Sequence, residues 1–337
     1  MKILKKLLVV ILLMAPIIVL AQQPADKTIM EKYIDSLKTH PYPYKFPIWG
    51  EKVYKKGFDI PLPAGVMLNY FNGKQLINIT DLAVGFNGGD KVPLDFIKFG
   101  KTQASIQMIS TRLDLWVLPF VDLYGIFGKS FTHTSVTVAE PIAFSTSAKF
   151  NGPTAGFGIT AGGGVRGFLI IGDYNNTWTS LEGIDGSIYA QTVSARLGYV
   201  IKFPKKPYRN ITLWAGPSGL FVNRTTVGSV KVSDLTGGPS QDQIDAIKNG
   251  VAGWYNNLTP PQKVVVKQIA QAFSDKFAGI DPNATIDYSL NKAPTSNWSM
   301  ITGGQFQLNK IWQFRAEAGF LGGRSSLLLS VNWRFGL

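Results

Sequence analysis

The chain has no cysteine, and its 337 residues include only two histidines. Without thiols there is no disulfide framework, no thiolate metal or redox site, and no lipid-bearing cysteine near the N-terminus. Neither metal-ligand spacing nor a repeated-aspartate calcium loop is visible, so the sequence implies no metal and no cofactor. Acid is scarce as well: 21 Asp and Glu stand against 34 Lys and Arg, a formal net charge of +13. A basic exported chain favours anionic headgroups or anionic solutes. Nothing resembles a nucleic-acid module.

Long apolar runs are missing after the first. Lys2, Lys5 and Lys6 form a basic stub before the apolar stretch Leu7 to Leu20, and Val19-Leu20-Ala21 offers a cleavage site. Residues 1–21 read as a secretory signal peptide, because the run is short of the ~20 residues of a spanning helix. With no second such run, a mature chain in a membrane has to cross it as a closed barrel, where strand pairing satisfies every backbone polar group.

What is abundant is two-residue alternation. In the C-terminal segment, Leu327, Leu329, Val331, Trp333 and Phe335 share one face of an extended strand, and Leu328, Ser330, Asn332 and Arg334 the other. Arg112 to Gly128 reads as a hairpin turning at Pro119-Phe120, with aromatics at the turn as expected at a membrane interface. Eleven such segments are legible from Ala64 onward, among them Leu82-Val84-Phe86 as a separate one. The apolar face carries aromatics at strand ends, whereas the other carries Arg, Gln, Asn, Asp and Gly; that suits lipid outside and a polar lumen inside. The expected fold is all-β, a transmembrane antiparallel up-and-down barrel of about 12 strands, with 10 or 14 as neighbouring even counts. Tight turns at Pro119, Gly167, Pro204–Pro207 and Asn309-Lys310 then lie in the periplasm, and the connections 87–102, 137–153, 180–186 and 233–295 lie outside.

The C-terminal strand resembles those that close Gram-negative outer-membrane barrels, with Phe335 third from the end. Phe58 to Phe71, Arg112 to Gly128 and Gly156 to Gly183 look like a group of uncharacterised outer-membrane barrel proteins of porin-like type. The resemblance covers most of Phe58 to Leu337. It implies location in the outer membrane and a barrel fold, and it implies no particular reaction.

Two segments depart from the barrel pattern. Residues 22–62 read as a periplasmic N-terminal extension with a short helix near Lys27 to Leu37, and 63–337 as the barrel. Within it, 238–280 reads as a helical insertion, because Ser240 with Gln243 and Thr259 with Gln262 form capping boxes ahead of apolar stripes. Ile269, Phe273 and Phe277 are its candidates for a plug or lid. The stripes can equally pack on each other and on the rim.

Catalytic groupings are sparse. His133, Ser135 and Glu140 lack the His-x-Ser-Asn pattern of lipid-modifying barrels, so the chain reads as no enzyme. The charged phase of the strands is the better lead: Arg112, Asp114, Arg166, Asp173, Arg196, Arg315, Glu317 and Arg334 are expected to line the lumen, with Asp122 and Lys202 beside them. They either neutralise one another in a closed interior or line a wet, weakly anion-preferring passage. The readings for function are a porin-like channel for small solutes, a closed structural or adhesion barrel binding a partner through its outer loops, and, less favoured, a lipid-modifying enzyme. Outer-membrane lipid is the partner common to all three. The sequence leaves the oligomeric state open.

Overall fold

The structure, a computed structural model, describes residues 27–223, 225–278 and 283–337; residues 1–21, expected to be a signal peptide, lie outside the described residues. In chain order the elements are α1 (Ile29–Thr39), α2 (Gly50–Tyr54), β1 (Ala64–Phe86), β2 (Val92–Pro93), β3 (Lys98–Leu118), β4 (Val121–Glu140) and β5 (Phe144–Val165). They continue with β6 (Phe168–Thr179), β7 (Ile188–Phe203), β8 (Lys206–Val222), β9 (Thr225–Lys231), β10 (Thr236–Gly237), α3 (Gln241–Lys248) and α4 (Pro260–Ala278). The chain ends with β11 (Thr285–Pro294), β12 (Trp298–Gln307), β13 (Trp312–Phe320) and β14 (Arg324–Phe335).

Ten strands make one antiparallel wall in the order β1-β3-β4-β5-β6-β7-β8-β12-β13-β14, and β14 returns to β1. That last pairing runs from Ala64 opposite Phe335 to Gln75 opposite Arg324, so no sheet edge is left at that height. The expected twelve strands are therefore ten. Leu82, Val84 and Phe86 are the outer end of β1, not a strand of their own. The register slips between Thr80 and Ala83, with Asp81 at φ +55°. Such a bulge swaps which parity faces inward, and a continuous strand then reads as two.

Along the wall the faces separate as alternation dictates. Leu68, Tyr70, Ile109, Leu113, Phe157, Phe168, Leu197, Leu213 and Leu329 all point outward and are exposed. Their neighbours Asn69, Ser110, Asp114, Thr154, Arg196, Thr212 and Ser330 are buried within. Aromatic pairs ring both ends: Trp178 with Tyr189 and Phe221 with Trp298 at one, Phe168 with Tyr199 and Trp333 with Phe335 at the other. An apolar outer face with aromatic girdles and a polar interior inverts a water-soluble barrel and fits a bilayer. Among the described residues no helix is long and apolar enough to cross a membrane.

The two ends differ. Short turns join β3 to β4, β5 to β6, β7 to β8 and β12 to β13 at one end. There the N-terminal segment is tied across the rim: Lys45 N–H donates to Leu337 O at 2.8 Å and Ile48 N–H to Val117 O at 2.9 Å. Lys310, in the β12–β13 turn, pairs with Asp59 at 3.3 Å and lies over the rings of Tyr33, Tyr54 and Tyr208. Burial raises the Tyr33 phenol above its usual range, with Asp59 beside it adding to the effect.

At the other end the segment expected to be a loop at 137–153 is largely strand, and 98–102 of the segment 87–102 already belongs to β3. The outer halves of β1, β3, β4 and β5 run on beyond the girdle because new partners take up their backbone groups. The outer part of β1 pairs with β11, and β11 with β9. Gly228 of β9 then bridges to Ile184, while Glu182 N–H reaches Asn151 O in β5. This narrower upper ring is filled by α3 and α4. Both capping glutamines reach back as the sequence implies, Gln243 to Ser240 N–H and Gln262 to Thr259 N–H. The stripe Ile244, Ile247, Val251 and Trp254, spaced in the sequence as one helix, is divided: α3 ends at Lys248, and a separate 3-10 turn, Gly253–Asn257, holds Trp254.

Strands β7 and β8 approach so closely at Gly216 that a Cβ there would fall on the Ala195 carbonyl oxygen. Gly216→Val is expected to abolish the folded, heat-modifiable band on unheated gels, whereas Gly163→Val, which meets open space, leaves it in place.

Candidate functional site

Inward-facing positions of β3, β4, β6, β7, β13 and β14 converge on one layer in the turn-end half of the lumen. Arg112 on β3 pairs with Asp122 on β4 and lies 4.0 Å from Asp173 on β6. Its guanidinium stacks 3.5 Å over the Tyr124 ring. Asp173 accepts from the Tyr124 hydroxyl at 3.0 Å and from Thr160 Oγ1 at 2.7 Å. Across the lumen, Arg196 on β7 forms a two-pronged pair with Glu317 on β13: Nε to Oε2 at 2.8 Å and Nη2 to Oε1 at 3.1 Å. Trp214 Nε1 donates to the same carboxylate at 2.8 Å and Arg315 Nη2 at 3.1 Å. Arg334 meets Asp114 at 2.9 Å and donates Nε to Leu62 O at 2.9 Å.

Strand register explains why these groups meet. Arg112 and Asp114 are two apart on β3, and Asp122 and Tyr124 two apart on β4, so all four point inward, with Asp114 directly opposite Tyr124. Arg315 and Glu317 repeat the spacing on β13. The layer holds four arginines and four carboxylates, and each is largely buried, from 1% side-chain exposure at Asp114 to 19% at Arg315. An unpaired charge at such depth costs several kcal/mol; the layer sets one carboxylate against each guanidinium. The layer is not fully satisfied, however. Arg112 Nε, Arg315 Nε, Asp122 Oδ1 and Asn332 Oδ1 are buried without a hydrogen-bond partner.

Of the residues expected in the lumen, Arg112, Asp114, Asp173, Arg196, Arg315, Glu317 and Arg334 are there, with Asp122. Arg166 is not: it sits exposed in the two-residue β5–β6 turn at φ +51°, followed by Gly167 at +91°. Those left-handed conformations end the alternation, so parity says nothing about Arg166. Lys202, on the last turn of wall before Pro204, is exposed at the rim. Tyr124 and Trp214 were missed as members of the layer, although both lie in the polar phase of their strands.

Two further inward cations were also missed. Arg324 opposes Gln75 above the layer, donating Nε to Gln75 Oε1 at 2.8 Å and Nη1 to Ser299 Oγ at 3.3 Å. Lys292 on β11 opposes Ile79 on the same inward side, higher up. Among the described residues neither has a carboxylate ion-pair partner. Burial, with no acid to offset it, pushes Lys292 down to about 8.

Above them lies the cap. Phe273 is buried against Val232, Leu235, Ile244 and Ile247, and Ile269 packs against both this group and the Val84–Leu94–Val265 group on β1 and the β2–β3 connection. Both side chains therefore fill the upper ring. Phe277 lies in α4, but its side chain falls outside the described residues.

The wall and this interior define a transmembrane antiparallel β-barrel with an ionic layer across its lumen. Similar solved structures include the β domain of the Bordetella autotransporter BrkA, at 9% identity and TM-score 0.38, covering 81% of this chain and 100% of that one. The outer membrane protein OprG from Pseudomonas aeruginosa gives 8% identity and TM-score 0.38, covering 83% and 100%. The translocator domain of the autotransporter NalP from Neisseria meningitidis gives 10% and 0.35, covering 84% and 93%. At such values the likeness carries no argument, and the assignment rests on the closed pairing and the inverted faces. No family model and no curated protein matches the chain.

Glu317→Ala leaves two guanidinium groups and an indole N–H without their acceptor, which is expected to cost about 3–5 kcal/mol. The check is a lower urea midpoint for unfolding from lipid vesicles. Lys292 gives a pH signature. Its folded-state value near 8 lies below the ordinary 10.5, so between those values the unfolded chain holds more protons and stability rises with pH. In Lys292→Met that rise is absent, and the variant is the more stable protein at pH 7.

Proposed function

We propose that the protein is an outer-membrane barrel that passes small solutes when its ionic layer opens: a gated, porin-like channel with no enzymatic role. The observation that carries this reading is the layer itself. Eight charged side chains from six strands meet inside the barrel through contacts that side-chain rotation can break, and several of its buried polar atoms lack partners. A partly satisfied network in a low-dielectric interior is the least secure part of such a core. Orientation follows from the asymmetry of the ends: the short turns and the N-terminal segment lie in the periplasm, the upper ring and cap outside.

Anion preference, on this reading, has a different source from the one the strand pattern implied. The layer balances its own charge. Arg324 and Lys292, facing the lumen between layer and cap without carboxylate partners, supply the positive potential that would favour anions.

A second reading, the closed barrel that binds a partner through its outer parts, is favoured by Val251 and Val264, which are 73% and 57% exposed on the insertion. The geometry gives the lipid-modifying reading little support. His133 and Ser135 are on the outward phase of β4, no hydrogen bond joins them among the described residues, and Glu140 is paired with Lys98 at 2.5 Å.

Planar-bilayer recording separates the first two readings. The native protein is expected to give rare, small openings. Glu317→Ala should raise mean conductance several-fold, and Lys292→Gln with Arg324→Gln should move the reversal potential toward cations. If Glu317→Ala is as silent as the native chain, the gated-channel reading fails and the sealed barrel stands.

A further inference from the structure

The outer face of β1, β3, β4 and β5 carries a basic row that the lumen does not use. Register places Lys74 opposite Ser105, Ser105 opposite His133, and His133 opposite Lys149, all on the outward phase. The three basic residues are exposed, and neither lysine is in an ion pair among the described residues. Strands lie about 4.8 Å apart, so Lys74 and Lys149, three spacings from each other, sit about 14 Å apart at Cα. Side chains of lysine length bring both ammonium groups within reach of one headgroup bearing two phosphates.

Height on the wall is the second observation. The outward side chains of β4 run Leu123, Phe127, Lys129, Phe131 from the turn end, and Lys129 lies over the Phe131 ring at 5.5 Å. From Val121 to Phe131 a tilted strand covers about 25 Å, the height of the apolar belt of such barrels. On β4 the basic row follows directly above Phe131, at the upper margin of that belt. The rows on either side carry no charge: Asn72, Gln107, Phe131 and Asn151 below, Leu76, Gln103, Ser135 and Ser147 above, three of the four in each able to hydrogen-bond. The nearest carboxylate by contact is Glu182, which accepts from Asn151 Nδ2 at 3.0 Å.

We propose that this face is a binding site for the phosphoryl groups of an outer-leaflet glycolipid, with Lys74, His133 and Lys149 on the phosphates and the serine and amide rows on the sugars. The glycolipid is favoured over a simple phospholipid because the wall continues above the row to Lys98 and Glu140, offering polar strand surface where a saccharide would stand. The proposal rests on the outer-membrane reading, and the test keeps the two apart.

The detergent-solubilised full chain is titrated with a diphosphorylated glycolipid of the lipid A type, the same lipid after phosphatase treatment, and phosphatidylglycerol, with binding followed by native mass spectrometry. Native protein should prefer the phosphorylated glycolipid. Lys74→Gln/His133→Gln/Lys149→Gln should bind it about ten-fold or more weakly, as loss of basic groups near anionic lipid implies, while keeping its heat-modifiable folded band. Lys248→Gln/Lys263→Gln, on the cap, should bind like the native chain. Equal binding by the triple variant, or equal binding of the dephosphorylated lipid, overturns the site. Tighter binding of phosphatidylglycerol overturns the glycolipid assignment. Fractionation of cells making the native chain tests the location separately: absence from the outer membrane removes the reading beneath the proposal whatever the titration gives.

Discussion

In hydrocarbon an unpaired backbone N–H or C=O costs several kcal/mol, and the pairing of β14 with β1 is where this barrel meets that cost. Twelve opposed positions, from Ala64–Phe335 to Gln75–Arg324, remove both edges at once. Everything else is built on the closed ring. The outward phase is free to be apolar because lipid covers it, and the inward phase fills the narrow interior of ten strands with charged and small residues and a few large ones, such as Met67, Trp214 and Ile301. Above the belt the same demand is met differently. There β11 and β9 replace β14 and its neighbours beside β1, narrowing the ring until two helices fill it with an apolar core.

Charge in the interior follows from that closure. Arginines on β3, β7, β13 and β14 are tied to carboxylates on β3, β4, β6 and β13, and apart from Arg315–Glu317 every pair joins different strands, up to three places apart in the ring. Such pairing is weak evidence for stability, since desolvation offsets most of the Coulomb gain. Its value lies in specificity: a slip of one residue in any of these strands would turn its charge into lipid. Glu317 is the hub of the layer: turning that one carboxylate away releases Arg196, Arg315 and Trp214 together.

How much of this could be read in advance depended on whether a residue sat within an unbroken alternation. Arg112, Asp114, Asp173, Arg196, Arg315, Glu317 and Arg334 did, and parity alone aimed them inward. Arg166 sat in a turn, where parity has no meaning. The bulge at Asp81 reversed the phase of β1 and made one strand look like two. β9 and β11 escaped notice for a third reason. They belong to the upper ring, outside the bilayer, so neither carries the lipid-facing aromatics that mark the wall strands. Lys292 was hidden with them. The capping boxes at Ser240 and Thr259 were legible because a helix start is a local hydrogen-bonding event, whereas the surface the helices bury depends on strands far away in sequence.

Depth also explains which cations are paired. The layer lies within the belt, where lipid surrounds the wall and an isolated charge is costly; there every arginine has a carboxylate. Arg324 opens β14 and Lys292 lies outside the ten-strand wall, so both stand toward the aqueous end. Arg324 has only neutral partners, Gln75 and Ser299, and Lys292 tolerates solitude at the expense of its proton affinity. The row formed by Lys74, His133 and Lys149 follows the same gradient on the outer surface, where its counterions must come from the membrane. One principle thus orders three sets of basic residues: internal carboxylates in the belt, neutral acceptors in the vestibule, and lipid phosphates at the headgroup level.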